Sequence, residues 1–199
     1  GATTAVDSAG SNDGMNTSVT TGVGGQIGSA YSFDGVNDIV NTGTSTLVPA
    51  TGDFTILLWV NSSTANQADT FFSNNNAQAG RFELTSLNSP DRLRLFFNNG
   101  STSLNFSGTS DIYDSTWHHV GVTRSGTTFT LYVDGSSEAT GAQSGSVAQD
   151  ENWLLGNGVA GNKAWPGLLD DLGVWTRALD GNEISTIYNA GLNGDSLSS

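Results

Sequence analysis

Short apolar runs follow one another along most of the chain, each closed by a turn signal. No other feature limits the fold as strongly. The runs are Ala30 to Phe33, Phe54 to Val60, Asp69 to Ser73, Arg81 to Leu87, Arg92 to Phe97, Trp117 to Thr123, Phe129 to Val133, Trp153 to Leu155 and Leu168 to Trp175. Brief strands at such spacing form sandwiches or barrels. Leu93, Leu95 and Phe97 alternate with Arg92, Arg94 and Phe96, and Phe129, Leu131 and Val133 alternate in the same way. A period of two sends one set to a core and the other to the opposite face. Asn99-Gly100, Asp134-Gly135, Asn157-Gly158 and Asn193-Gly194 mark turns, because these pairs tolerate the positive φ of tight loops. Residues 129 to 140 are therefore predicted to form a hairpin around Asp134-Gly135.

One helix is predicted near residues 180–190. Asp180 and Glu183 make a capping box, Ile184, Ile187 and Tyr188 share a face, and Gly191 ends the run. The expected fold class is all-β, a two-sheet antiparallel β-sandwich with one short C-terminal helix. Residues 1–199 are expected to form a single domain, with 195–199 as a frayed tail or the start of a linker.

Charge narrows the partners. Nineteen acidic residues against six basic ones give a net charge of −13. So few cations cannot neutralise a phosphate backbone or hold an anionic membrane surface, so neither nucleic acid nor membrane is an expected partner. There is no Cys, which removes disulfides and thiolate chemistry. No apolar run approaches the ~20 residues of a membrane-spanning helix. A Cys-free chain rich in Gly, Ser, Thr and Asn fits a bacterial-type module that is secreted or held at the cell surface.

Four stretches, in order, resemble the LamG-like jelly-roll modules of the concanavalin A-like lectin/glucanase superfamily. They are Asp7 to Gly14 with Gly28 to Asp38; Gly52 to Ile56 leading to Trp59-Val60; Trp117-His118-His119-Val120 with Leu131 to Gly135; and Gly167 to Leu172 with Arg177-Ala178-Leu179 and the helix after it. The resemblance implies a jelly roll of two antiparallel sheets, each of roughly six or seven strands. It also implies a structural Ca²⁺ held by Asp7, Gly35 and Asp170, with Asp34 as a further ligand. Ca²⁺ takes six to eight oxygens, which acidic turns can supply. The alternative is that Asp7, Asp13 and Asp34 only bond the backbone of their own turns.

Trp59, Trp117 and Trp175 match structural aromatics of the family pattern. Trp153 and Trp165 lie beside polar, Gly-rich loops, where a flat ring can stack on a sugar or plug the edge of the core. Arg81, Arg92 and Arg94 share strand faces and can donate paired hydrogen bonds to sugar hydroxyls or anions, or simply lie on a solvated face. His119 is expected to be buried and bonded to backbone. His118, next to it, must point the other way, so the two cannot share a metal.

Nothing in the sequence assembles a catalytic set. Glycosidases need two cooperating carboxylates, yet Glu83, Glu138, Glu151 and Glu183 are scattered. The Tyr-x-Lys element that a resemblance to alginate-lyase relatives would imply is missing, because the only Lys, Lys163, has no Tyr two residues before it. The expected function is a non-catalytic carbohydrate-binding module for an extended polysaccharide or oligosaccharide, monomeric within a larger multidomain chain and attached to a secreted polysaccharide-degrading enzyme. The alternative is an adhesion or structural spacer module of a bacterial surface protein.

Overall fold

The alternating runs become strands, and the polar segments between them contribute more. In chain order the strands are β1 (Thr4–Ala5), β2 (Gly14–Thr17), β3 (Thr20–Gly24), β4 (Ser29–Asp34), β5 (Ile39–Asn41), β6 (Phe54–Asn61), β7 (Thr70–Ser73), β8 (Arg81–Leu87), β9 (Arg92–Asn98) and β10 (Ser103–Asp111). They continue with β11 (His118–Ser125), β12 (Thr128–Val133), β13 (Ser136–Ala142), β14 (Leu154–Leu155) and β15 (Pro166–Trp175), followed by the helix α1 (Gly181–Leu192). The computed structural model describes residues 4–63, 69–87, 91–158 and 163–196. No helix among them is long and apolar enough to cross a membrane. The proposed tail at 195–199 lies mostly outside the described residues.

Two antiparallel sheets pack face to face. One has eight strands in the order β1-β2-β5-β14-β7-β8-β9-β10, the other seven in the order β13-β12-β11-β6-β15-β4-β3. The interior is filled by the alternating apolar sets: Ile56 and Leu58, Val120 and Val122, Leu93 and Leu95 are all fully buried. At one seam the edge strands β10 and β13 meet. Glu138 of β13 accepts hydrogen bonds from the backbone N–H groups of Thr109 (2.8 Å) and Ser110 (3.3 Å) and from the Ser110 hydroxyl.

The predicted hairpin is present: β12 and β13 are joined by Asp134 (φ 49°) and Gly135 (φ 74°), both in the left-handed region that this turn requires. The predicted helix is present too. The Asp180 side chain accepts from the N–H groups of Asn182 and Glu183, and Glu183 accepts from the N–H of Asp180. Its end differs from expectation. Gly191 lies inside the helix, where a Cβ would come within 2.7 Å of the Trp59 indole. Glycine is there so that helix and ring can approach.

That approach decides which surfaces stay open. α1 lies on the outer side of the seven-stranded sheet, burying Ile184 with Leu57 and Tyr132. The Tyr188 ring stacks on Trp59 with centroids 5.6 Å apart. Among the described residues no helix lies on the outer side of the eight-stranded sheet.

Candidate functional site

The outer face of β8, β9 and β10 follows directly from strand alternation. With Leu93, Leu95 and Phe97 buried, Arg92, Arg94 and Phe96 must turn outward, and they are half-buried there. The register sets Glu83 opposite Phe96 and Thr85 opposite Arg94, while β10 places Asn105 beside Phe96 and Ser107 beside Arg94. Arg81 lies one row away and swings back over the aromatic ring, its guanidinium carbon 4.8 Å from the Phe96 centroid. That of Arg94 is 5.9 Å from the same centroid.

Glu83 anchors the cluster. It is 1% exposed, and a buried carboxylate must be paired. Arg81 Nη2 donates to both of its oxygens at 2.8 Å, and Lys163 Nζ donates to Oε2 at 3.3 Å. Lys163 arrives from the far side of β7. Its carbonyl accepts from Thr70 N–H (2.9 Å), and Ala164 bridges Thr70 in parallel. Gly158 lies against the same carboxylate, where a Cβ would sit 2.9 Å from Glu83 Oε1 and 2.8 Å from Thr70 Oγ1. The result is a platform of phenyl and guanidinium planes with a wall at Gly158 and Lys163. Arg94 Nε donates to Asn105 Oδ1 at 2.6 Å, fixing that guanidinium at the open end. Burial pushes the Arg94 pKa down, opposed by Glu83 and reinforced by Arg81.

Of the residues singled out in the sequence, Arg81 and Arg94 meet here, and Arg92 lies further along β9, opposite Asp111. Trp153 and Trp165 do not. Both are 0% exposed and present no ring face to a ligand, which corrects the expectation of stacking platforms. Trp153 is drawn in by backbone bonds to Thr42 and Thr44, stacks on Phe72 at 4.8 Å and donates Nε1–H to the Ser45 carbonyl. Trp165 meets Phe71 edge-on at 4.6 Å and donates to the Leu168 carbonyl. Both rings belong to the core cluster between the sheets. Glu83 and Lys163 were missed as site residues. The one available signal was that the only Lys stands two residues before a Trp that fixes its position.

The proposed calcium ligands do not make one shell. The Asp7 carboxylate accepts from the N–H groups of Ala9, Gly10 and Asn12, and the Asn12 bond leads in holding its pKa low. Asp34 Oδ1 accepts from Val36 and Asn37, closing the turn that carries Gly35 (φ 76°). Asp34 pairs with Pro166, four residues along β15 from Asp170, a separation of roughly 13 Å at strand rise. Asp170 instead accepts from Ile27 N–H at 2.8 Å and secures the β3–β4 loop, burial raising its pKa. These residues do not fit a shared Ca²⁺, and the platform uses none of them. Among the described residues no three His, Asp or Glu side chains converge on a metal position.

The histidines split as adjacent strand residues must. His118 Nδ1 lies 2.8 Å from Asp134, with Asp114 and Thr116 at Nε2. His119 is buried beside Trp59 and Tyr188, but among the described residues neither ring nitrogen has the expected backbone partner.

The laminin G type 3 family, described as the concanavalin A-like lectin/glucanases superfamily, matches residues 34–185. The chain belongs to this superfamily. No curated protein matches it in sequence. Solved structures match it in fold. The binding domain of Paraclostridial Mosquitocidal Protein 1 superposes with a TM-score of 0.70 at 15% identity over 94% of this chain, which spans about half (51%) of that one. Domain 4 of an extracellular arabinanase from Geobacillus stearothermophilus, in complex with arabinotriose, gives 0.66 at 17% identity over 85% of this chain and 81% of that domain. A pentraxin from Limulus polyphemus gives 0.57 at 20% over 76% and 74%. At these identities the likeness is one of fold, a jelly-roll sandwich, and a shared fold does not by itself fix function.

Proposed function

We propose that this domain is a non-catalytic carbohydrate-binding module whose ligand lies across the outer face of the eight-stranded sheet, from the Gly158–Lys163 wall towards Asn105. The observation that carries the proposal is a half-buried Phe96 framed by Arg81 and Arg94 on the sheet face that α1 does not cover. An apolar ring among fixed hydrogen-bond donors suits a sugar, whose faces are apolar and whose rim is hydroxylated. The arabinanase domain solved with arabinotriose supports the same reading and favours a module attached to an exported polysaccharide-degrading enzyme. Binding without cleavage fits Glu83: both its oxygens are held by Arg81 and one by Lys163, and among the described residues no second carboxylate pairs with it.

One aromatic platform contributes about 1 kcal/mol beyond area burial, so affinity should be micromolar or weaker. A glycan array followed by calorimetry tests this. Phe96→Ala should weaken binding about fivefold while the melting temperature stays near wild type. An array with no glycan bound would leave adhesion to protein, or spacing, as the role. Release of new reducing ends by the pure chain would refute the non-catalytic assignment.

A further inference from the structure

The chain has six cations, and where it places them names the ligand. Two are consumed by the fold. Arg124 donates to the carbonyls of Ala50, Gly126 and Gly145, and Arg177 forks onto Glu183. The other four, Arg81, Arg92, Arg94 and Lys163, all belong to the outer face of the eight-stranded sheet, in a chain of net charge −13. Arg92 faces Asp111 across the ladder. Arg81, Arg94 and Lys163 surround the single carboxylate of Glu83, which leaves a formal local charge of +2. Arg94 is the member of this group with no carboxylate partner among the described residues. Its one hydrogen bond to a neutral amide, Asn105 Oδ1, uses Nε and leaves the two terminal nitrogens to donate.

Resting on the carbohydrate-binding reading, we infer that the glycan taken by this face is a uronate polymer, one sugar carboxylate accepting from the terminal nitrogens of Arg94 while its ring lies against Phe96. A guanidinium fork matches a planar carboxylate, and a partly desolvated one binds it more strongly than in water. The charge density also selects. A polymer with one charge per ring meets a local +2, whereas a densely sulfated chain would also carry its excess charge into the field of an acidic protein.

The probes are polygalacturonate and alginate, compared with methyl-esterified polygalacturonate, which keeps the backbone and removes the charge. Calorimetry should show at least one acid polymer bound about tenfold or more tightly than the ester, with affinity falling as salt is raised. Arg94→Gln should abolish that preference with the melting temperature unchanged, and Arg94→Lys should retain part of it. Phe96→Ala should weaken acid and ester alike. Equal binding of acid and ester by the wild type would overturn the uronate assignment and leave the glycan module standing. Tighter binding of a sulfated galactan than of either uronate polymer would overturn it too. Failure of every glycan, neutral ones included, would remove both readings.

Discussion

His119 sets a limit on acid stability that can be worked from its surroundings. The imidazole is 1% exposed, lies 5.0 Å from Trp59 and 6.1 Å from Tyr188 between centroids, and among the described residues has no hydrogen-bond partner on either nitrogen. Burial lowers its pKa from 6.5 to about 4, with the charge of Asp134 opposing. The unfolded chain therefore takes up the proton first. The stabilisation is fully present above pH 6.5 and is lost as pH falls from there through about 4. At ~1.36 kcal/mol for each pH unit, the gap amounts to about 3 kcal/mol, a large part of the 5–15 kcal/mol of an ordinary domain. His119→Phe replaces the ring with an apolar one where no hydrogen bond is lost, so at pH 7.5 it should be near neutral or stabilising. Urea unfolding of both proteins between pH 7.5 and 4 measures the difference. The wild type should lose about 3 kcal/mol more than the variant across that range, because all other titrating groups are common to both. Parallel curves would mean that the neighbouring rings or water stabilise the imidazolium as well as bulk solvent does, and the desolvation argument would be wrong.

His118 should behave in the opposite sense. Its hydrogen bond to Asp134, opposed by burial and aided by Asp114, raises its pKa, so its contribution is full below pH 6.5 and lost as pH rises through the raised value. Asp134→Asn keeps the positive-φ turn and the acceptor for His119 N–H, yet should lower the His118 pKa in an NMR titration, and an unmoved pKa would contradict the pairing. Trp153→Ala and Trp165→Ala should each cost ~3–5 kcal/mol of stability, read by denaturant unfolding. A melting temperature near wild type with impaired glycan binding would return these rings to the surface.

Local patterns showed most of the sandwich before any coordinates. Alternation at 92–97 and 129–133, the Asp134-Gly135 pair and the Asp180–Glu183 box depend on neighbours in sequence, and all are realised. The strands missed were β1, β2, β3, β5, β10 and β14's two-residue extent. β3 and β10 are edges, and edge strands keep polar, exposed residues that mimic loops. For the site, the pattern separated the two faces of β9 and so found Arg92 and Arg94. It could not tell which sheet α1 would cover, nor that Lys163 would cross β7 to reach Glu83, because both depend on contacts between distant parts of the chain. The two Trp residues failed for the same reason: a polar loop flank says where a ring begins, not which way it turns.

The carboxylate of Glu138 at the seam of the two sheets has a bearing on life beside other copies. Unpaired strand edges invite a neighbour's backbone to extend the sheet, and the hazard grows when many modules are crowded on one substrate. At Thr109 and Ser110 that invitation is already answered by a charged side chain from the same molecule. A second β10 brought alongside would find those donors taken and meet a like charge. Crowded copies of this domain should therefore stay as separate particles even at high concentration.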